Sequence, residues 1–141
     1  MRDNNTNLDV VAEFWEGIRV RNWAQSMSVI GDKFERVGMR HGGPDTIVGR
    51  ANYQAFLEHI VPTFTKWHME ATRITWSADG NSAVAECVET IQPTPDEDVL
   101  IMHELVDATI GEDGRISKLD LYFKIPDPLP QWVIAANSRK D

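Results

Sequence analysis

The hydrophobic period of the chain changes once, near Trp67, and this change constrains the fold more than any other feature. Before it, apolar residues recur at three- and four-residue spacing, which is typical of amphipathic helices. After it, apolar and polar residues alternate, which is typical of strands with one buried face. Helices followed by hairpin-linked strands predict an α+β fold with the helices and the sheet in separate layers.

The first half of the chain contains signals for three helices. They are expected to run from Thr6 or Asn7 to Ile18, from Trp23 to about Val29, and from Arg50 to Val61. Thr6 and Asp9 have the spacing of a capping box, and Asn22 is expected to cap the second helix. Pro62 is expected to end the third helix, because it lacks a backbone N–H.

The second half reads as strands. The expected strands are Lys33–Gly38, Met69–Ser77, Ser82–Gln92, Val99–Ile110 and Arg115–Ile125. The pair Asp79–Gly80 is a strong hairpin signal, and Glu112–Gly114 joins the last two strands. The proline-rich tail, residues 126–141, is expected to add a short helix near Gln131–Ala136.

The last strand predicts which face of the sheet points inward. Its odd-numbered residues are apolar and alternate with polar ones; they are Leu119, Leu121, Phe123 and Ile125. If the turn is a three-residue loop, Gly111 pairs with Arg115 and the odd parity passes to the preceding strand. His103, Leu105 and Asp107 would then face inward. A four-residue loop would reverse this parity.

The other face of the preceding strand is also apolar. Its residues are Leu100, Met102, Val106, Ala108 and Ile110. A sheet that is apolar on both faces must be covered on both, and only three helices are available. We therefore expect a second copy of the chain to cover the convex face, which predicts a homodimer.

Composition excludes several classes of function. The 141 residues carry a net charge of −8, which argues against binding to nucleic acid or anionic membranes. Cys87 is the single cysteine, so no internal disulfide is expected, and no apolar run approaches the ~18 residues of a membrane span. His and Cys spacings fit no metal site, and no glycine-rich phosphate loop is present, so neither metal nor cofactor is expected. The polar N-terminus lacks a signal peptide, so a single soluble, cytoplasmic domain is predicted.

Four segments carry a resemblance to a known family. They are Val10–Ile18, Ile47–Phe56, Ala78–Asn81 and His103–Ile116, the last leading into Leu121–Phe123. In order and spacing they resemble the nuclear-transport-factor-2-like superfamily, and within it the SnoaL-like polyketide cyclases related to ketosteroid isomerase. The resemblance implies one SnoaL-like domain over 1–141, with a core of about 8–125 and a C-terminal extension of 126–141. It also implies a curved antiparallel sheet, a cone-like half barrel, closed by three N-terminal helices around a central pocket.

The match to limonene-epoxide hydrolase is poor at the catalytic positions. The Arg-X-Asp motif of that enzyme falls on Cys87–Glu89, which keeps a carboxylate and loses the arginine. Its second catalytic aspartate falls on Leu121, and its water-positioning tyrosine and asparagine fall near Phe34 and Arg36. The resemblance therefore does not carry over the water-activating machinery.

The match to ketosteroid isomerase is mixed. The aspartate of its oxyanion hole falls on Asp107, whereas its tyrosine falls near Phe14 or Trp15. Its general-base aspartate falls near Arg36 or Val37. One of three roles has a counterpart in this chain.

Four residues are candidates for catalysis. Asp107 lies mid-strand among apolar residues, where desolvation raises a carboxyl pKa toward the range of a general acid. Glu89 would supply a second carboxylate, so that acid and base roles can be divided. His103 would orient Asp107 or carry a proton, and Arg36 would clamp a developing oxyanion.

Each candidate also has a structural interpretation. Asp107 would pair with Arg36 or His103 as a buried structural group, and Glu89 would be a rim charge. His103 would be a core residue with its hydrogen bonds satisfied, and Arg36 would form a salt bridge with Asp107 or Glu89. Eight residues are expected to line the pocket, although residues of these types more often belong to a plain core: Trp15, Phe34, Tyr53, Phe56, Trp67, Leu105, Leu121 and Phe123.

These residues and the resemblance suggest an enzyme. It would use cofactor-independent acid/base chemistry (isomerisation, cyclisation or dehydration) on a small, apolar, oxygenated molecule. The alternatives are a non-catalytic module that binds a lipophilic ligand, and a limonene-epoxide-hydrolase-like enzyme with altered catalytic residues.

Overall fold

The structure is a computed structural model and describes residues 4–40, 42–43 and 45–138. These residues contain four α-helices and six strands. The helices are α1 (Asn4–Val20), α2 (Trp23–Met27), α3 (Arg50–Ala55) and α4 (Gln131–Ser138). The strands are β1 (Ile30–Val37), β2 (Ile47–Val48), β3 (Lys66–Trp76), β4 (Ser82–Gln92), β5 (Leu100–Ile110) and β6 (Ile116–Phe123). After α3 the chain continues through a π-helical turn, Phe56–Ile60, and a 3₁₀ turn, Val61–Thr63.

The periodicity predicted the type of almost every element, and the fold class is confirmed. The predicted cap of α2 is also confirmed, because the backbone N–H of Gln25 donates to Asn22 Oδ1 at 3.3 Å. The two-residue strand β2 was not predicted, and it pairs with β1. The proposed capping side chain of Thr6 and the side chain of Leu8 lie outside what the structure describes.

The strands form one open, curved sheet in the order β2-β1-β6-β5-β4-β3. Neighbouring strands are antiparallel except β1 and β6, which pair in parallel. Thr72 in β3 and Ser117 in β6 are bulge residues, since each has no paired residue on the neighbouring strand β4 or β5. Because bulges bend a strand and increase its twist, these two help the sheet to curl around the helices.

The bulge at Ser117 overturns the predicted parity of β5. The turn itself forms as expected, since the Gly111 N–H donates to the Arg115 carbonyl oxygen at 2.8 Å. Ile110 then pairs with Ile116, but Thr109 pairs with Lys118, so one residue of β6 is skipped. The even-numbered residues of β5 are consequently the buried ones. The prediction that the odd-numbered residues of β5 face inward was wrong, whereas Leu119 of β6 is buried as expected.

The apolar interior has two parts. The main core joins α1, α2 and α3 to the concave face of the sheet, with Phe14, Phe34, Leu57 and Val106 fully buried. A second cluster lies under α4, where Val133 packs with Leu100 and Met102 of β5. The indole Nε1 of Trp132 also donates to the carbonyl oxygen of Asp98 at 2.9 Å, which ties α4 to the loop before β5. The C-terminal extension therefore covers one end of the concave face.

The apolar even face of β5 thus belongs to the interior, which removes the sequence argument for a dimer as it was made. The convex face carries a different apolar set: Ile101, Leu105 and Tyr122 are each about half exposed. Within the described residues, no helix has the length and apolar character needed to cross a membrane.

Candidate functional site

A recessed cavity of about 50 Å³ lies between the helices and the concave face of the sheet. Its lining residues are Trp15, Arg36, Tyr53, Phe56, Trp67, Met69, Glu89, Val106, Leu119 and Leu121. Most of these side chains are buried, whereas Arg36, Phe56, Glu89 and Leu121 are partly exposed. The cavity is therefore mostly apolar and contains one acidic and one basic group.

Aromatic contacts fix the helical wall of this cavity. The ring of Phe14 meets that of Trp15 edge-on at 5.1 Å and stacks on Tyr53 at 6.5 Å. Tyr53 in turn stacks on Phe56, whose ring centroid lies 6.3 Å away. Phe56 opens the π-helical turn, and such turns interrupt helices frequently at functional sites. The wall is thus a connected set of rings rather than separate side chains.

Two glutamates lie side by side on the concave face. Glu89 of β4 pairs with Met102, and Cys87 pairs with Glu104 of β5, so the two acids are diagonal neighbours. In an antiparallel pair this places their backbones about 7–8 Å apart on one face. Glu104 is only 3% exposed, and neither of its carboxyl oxygens has a hydrogen-bond partner among the described residues. Ionising a carboxyl group at this position costs free energy, because the charge would be buried away from water.

Their surroundings favour protonation of both acids, but of Glu104 more strongly. Burial raises the pKa of Glu89 to about 7, and the positive charge of Arg36 opposes this rise. Burial raises the pKa of Glu104 to about 9, and the negative charge of Glu89 adds to the effect. As pH rises Glu89 therefore ionises before Glu104, so that between about pH 7 and pH 9 the negative charge of the pair lies on Glu89. Environments that push two carboxyl pKa values apart are how acid and base roles become divided.

Arg36 reaches this site from β1. Its Nη1 donates to the backbone oxygen of Asp45 at 3.2 Å, and its guanidinium carbon lies 5.3 Å from the centre of the Phe56 ring. Its charge lowers the pKa of both Glu89 and Glu104 relative to burial alone. Arg36 is therefore placed to compensate negative charge in the cavity.

The structure places three other predicted site residues on the opposite face of the sheet. His103 and Leu105 are exposed, and Asp107 is half-buried opposite Asp120 on the convex side. The physical reason is the bulge at Ser117, which shifts the register between β5 and β6 by one residue. Asp107 and His103 therefore do not meet the cavity that Glu89 and Arg36 line.

Of the predicted wall residues, five line the cavity: Trp15, Tyr53, Phe56, Trp67 and Leu121. Phe34 is fully buried behind the wall, with its ring 5.0 Å from that of Tyr53. Phe123 packs against the second cluster under α4 instead. Ile125 was expected to continue the inner face, but β6 ends at Phe123 and the Ile125 side chain is 75% exposed.

Glu104 is the residue that the sequence analysis missed. The signal was present, because Glu104 is the one charged residue in the alternating apolar series of even positions from Leu100 to Ile110. A charge in the middle of an apolar face is the informative exception to hydrophobic patterning. Met69, which also lines the cavity, carried no such signal and was grouped only with its strand.

Cys87 lies beside the two acids, and its thiol is expected to stay protonated. Its side chain is 2% exposed, and burial together with the charges of Glu104 and Glu89 raises the pKa of the thiol. A thiol that keeps its proton is a poor nucleophile and metal ligand. Among the described residues, no group of three or more His, Cys, Asp or Glu side chains could hold a metal ion.

The raised pKa of Glu104 predicts a pH dependence of stability. The folded chain keeps this proton up to a pH of about 9, whereas an unfolded chain releases it near the ordinary value of 4.5. Unfolding therefore releases a proton between these values, so the free energy of unfolding falls as pH rises through this window. We expect Glu104→Gln, which is neutral at every pH, to match the original chain at pH 5 and to exceed it at pH 9. The expected gain at pH 9 is roughly 5 kcal/mol, as follows from the pKa values of 4.5 and about 9.

Urea unfolding at pH 5, 7 and 9 measures this effect. Glu13→Gln, at an exposed position of α1, serves as the control and should leave the difference between pH 5 and pH 9 unchanged. A Glu104→Gln chain whose stability falls with pH as steeply as that of the original would contradict the assignment.

Comparison with known proteins finds matches in structure alone. No family model and no curated protein matches the chain. Among solved structures, a candidate ketosteroid isomerase from Kribbella flavida DSM 17836 has a TM-score of 0.64 at 18% identity, over 85% of this chain and 78% of that one. The epoxide hydrolase/cyclase-like enzyme SalBIII, described for its role in pyran ring formation in polyether salinomycin, has a TM-score of 0.71 at 15% identity. The match covers 89% of this chain and 95% of that one. RV0760c from Mycobacterium tuberculosis, in complex with estradiol-17beta-hemisuccinate, has a TM-score of 0.68 at 11% identity. The match covers 85% of this chain and 95% of that one.

The chain therefore has the nuclear-transport-factor-2-like fold, and the resemblance noted from the sequence is confirmed at that level. Sequence identities of 11–18% support a shared fold but not a shared activity, because this fold supports many unrelated activities.

Proposed function

We propose that this chain is a cofactor-independent enzyme that moves a proton next to a carbonyl group of a small, apolar, oxygenated molecule. Isomerisation, cyclisation by aldol closure and dehydration all begin with such a step. Glu89 is the general base in this proposal, and Arg36 compensates the negative charge that develops on the carbonyl oxygen.

One observation supports this proposal above the others. Glu89 lines a mostly apolar cavity and has a pKa raised to about 7, while Glu104 beside it holds its proton to a pH of about 9. A general base works best when its pKa lies near the operating pH. A plain binding pocket gains nothing from two desolvated carboxyl groups.

The chemical step balances without a further reactant. The Glu89 carboxylate takes a proton from the carbon next to the carbonyl, and the C–H electron pair forms the enolate with its negative charge on oxygen. The protonated Glu89 then returns the proton, either to the same carbon or to a conjugated one. The first outcome gives isotope exchange when the proton held by Glu89 has been replaced by a deuteron from solvent, and the second is isomerisation.

Glu104 acts in this proposal as a positioning residue, because it does not line the cavity. By keeping its proton it leaves the single negative charge of the pair on Glu89, where the substrate is. If Glu104 also ionised, a second negative charge would lie close to the developing enolate and would oppose it.

The size of the cavity limits the substrate. About 50 Å³ is well below the roughly 300–1,000 Å³ of typical sites for drug-sized ligands. A ligand would enter past the lining side chains that are partly exposed, which are Arg36, Phe56, Glu89 and Leu121. A single-ring ketone such as cyclohexanone is therefore a suitable probe.

Hydrogen–deuterium exchange at the α-carbons of cyclohexanone in D₂O, followed by NMR, tests the proposal. We expect the protein-dependent rate to rise as pH passes about 7, where Glu89 loses its proton. We expect it to fall above about 9, where Glu104 ionises. A protein-dependent rate that is zero, or that only follows the hydroxide concentration across pH 5–10, would contradict the proposal.

A non-catalytic module that binds a lipophilic ligand is the second candidate. The continuous aromatic wall of Trp15, Tyr53 and Phe56 favours it, because such a wall suits apolar ligands whether or not they react. Binding of cyclohexanone without exchange at any pH would favour this candidate. Release of a diol from an epoxide probe would instead favour the hydrolase alternative.

The proposal includes the predicted homodimer and the predicted cytoplasmic location. The convex face supports a dimer through the partly exposed apolar residues Ile101, Leu105 and Tyr122, and not through the even-numbered residues first expected there. Sedimentation of the chain, and of a Leu105→Lys variant that places a charge on this face, tests the dimer.

A further inference from the structure

Asp45 holds together the loop that follows β1. Its carboxylate oxygen Oδ2 accepts from the backbone N–H of Met39 at 2.6 Å. The next residue, Thr46, binds the neighbouring backbone group, because its Oγ1 accepts from the N–H of Gly38 at 3.2 Å. Two side chains from the far end of the loop thus bind two successive N–H groups directly after β1. An ionised acceptor makes the stronger hydrogen bond, so Asp45 contributes most to this contact.

The backbone oxygen of the same residue binds Arg36. Nη1 of Arg36 donates to the Asp45 carbonyl oxygen at 3.2 Å, and the guanidinium lies over the ring of Phe56. An arginine side chain is long and flexible, and the groups that it binds decide where its planar head lies. The place of the Asp45 carbonyl therefore helps to decide whether Arg36 reaches the cavity.

Gly38 leaves the space that the Asp45 carboxylate occupies. A Cβ atom added at residue 38 would collide with that carboxyl group. Gly38 is buried and does not have a positive φ, so glycine is needed here for close approach and not for backbone conformation. A methyl group at this position would therefore turn the Asp45 side chain away without changing any charge.

We propose that Asp45 is a positioning residue of the candidate site: its carboxylate fixes the loop, so that its own backbone oxygen holds Arg36 in the cavity beside Glu89. This inference rests on the proposed function, in which Arg36 compensates the charge of the enolate. Asp45 acts through Arg36 and touches no substrate.

The charge of Arg36 gives this role a measurable consequence. Arg36 is the one basic residue in the cavity lining that the structure describes. The other ionisable groups close to Glu89 are Glu104, Tyr53 and Cys87, whose pKa values the charge of Glu89 raises. Each of these three is neutral or negative, so none can replace the positive charge. If Arg36 turns away, the rise that burial causes in the pKa of Glu89 is less opposed, and this pKa moves above about 7.

Carbon-13 NMR of carboxyl-labelled glutamate follows the titration of Glu89 without any turnover, and the signal is assigned by its absence from Glu89→Gln. We expect Asp45→Ala to raise the Glu89 midpoint by about one pH unit, because Arg36 is no longer held. Gly38→Ala should raise it in the same way. Asp45→Asn should stay within about 0.3 of a pH unit of the original, since its amide oxygen still accepts from the N–H of Met39.

Gly31→Ala is the matched control on the same strand. A Cβ atom at residue 31 would lie 3.7 Å from Asp113, which is an ordinary contact, so the midpoint should not change. A direct effect of the Asp45 charge would instead lower the midpoint in both Asp45→Ala and Asp45→Asn and leave it unchanged in Gly38→Ala. That pattern, or an unchanged midpoint in Asp45→Ala and Gly38→Ala, would overturn the inference. If Asp45→Ala does not fold, Gly38→Ala decides.

Exchange of cyclohexanone α-protons at pH 8 separates this inference from the proposed function. We expect Asp45→Ala to slow exchange by about 10- to 10²-fold, as misplacement of a catalytic group does, and Asp45→Asn to stay within about threefold. A midpoint that shifts as expected, in a set of chains that exchange no α-protons, would uphold the role of Asp45 and overturn the proposed enzyme. Equal exchange by the original and Asp45→Ala chains, with equal midpoints, would overturn the role of Asp45 and leave the proposed enzyme standing.

Discussion

Glu89→Gln is expected to slow the exchange of cyclohexanone α-protons by about 10²- to 10⁴-fold at pH 8, which is the usual contribution of a positioned general base. Glutamine has the shape of glutamate but does not accept a proton in this range. Because Glu89 lines the cavity beside Arg36, its carboxylate is the base that the structure offers to a bound ketone. Initial exchange rates by NMR, at saturating ketone, give the measurement.

The control for this substitution lies on the same strand. Glu86 is three residues away on β4, points to the other face and forms an ion pair with Arg73. Glu86→Gln removes an equal charge and should leave the exchange rate within about twofold, since an exposed ion pair contributes little. Glu89→Asp, which keeps a carboxylate, should recover part of the rate.

Two results would count against this role of Glu89. One is an exchange rate for Glu89→Gln equal to that of the original chain. The other is an equal loss of rate in Glu86→Gln, because that would point to the net charge of the protein and not to a positioned base. Ketone affinity measured alongside should stay within about threefold, which separates the chemical step from binding.

The position of Glu89 could be predicted from sequence because β4 is regular from end to end. Its pattern of buried residues at Ala83, Ala85 and Cys87 is a plain alternation, and the ladder to β5 contains no irregularity. Because side chains alternate between the two faces, every second residue of the strand then points inward. The helices were predicted for the same reason, since the repeating face of α1 includes the buried residues Phe14, Trp15 and Ile18.

The inward position of Glu104 could not be inferred from the facing pattern of β6, because that inference assumed regular pairing between β6 and β5 on both sides of the turn. That turn was predicted with the correct pairing of Gly111 and Arg115, yet a single extra residue, Ser117, changed the face. Serine at this position has no sequence feature that marks a bulge. Counting apolar residues on the even face of β5 would have been the sounder method, because it depends on burial and not on register.

Two other features were also beyond sequence reasoning. The π-helical turn at Phe56–Ile60 widens the end of α3 without a proline or glycine inside it. The packing of Val133 on Leu100 and Met102 joins segments about 30 residues apart, and periodicity gives no information on where a terminal helix will pack.

The corrected parity of β5 predicts opposite outcomes at two adjacent residues. Val106 is fully buried and lines the cavity, whereas Leu105 beside it is 47% exposed on the convex face. We expect Val106→Asp to destabilise the chain by more than about 4 kcal/mol, because it buries an unpaired charge near Glu89 and Glu104. Since small domains have only about 5–15 kcal/mol to lose, this variant should show no cooperative unfolding or a greatly lowered urea midpoint.

Leu105→Asp is the matched substitution at the neighbouring position. At protein concentrations at which the chain is monomeric, it should cost about 1 kcal/mol or less, mainly through the poorer strand propensity of aspartate, because its carboxylate remains in water. Urea unfolding of the two variants at pH 7 measures the contrast directly. A folded Val106→Asp together with an unfolded Leu105→Asp would return the odd-numbered face of β5 to the interior. In that case Asp107 and His103 would replace Glu104 beside the cavity, and the acid pair proposed here would not exist.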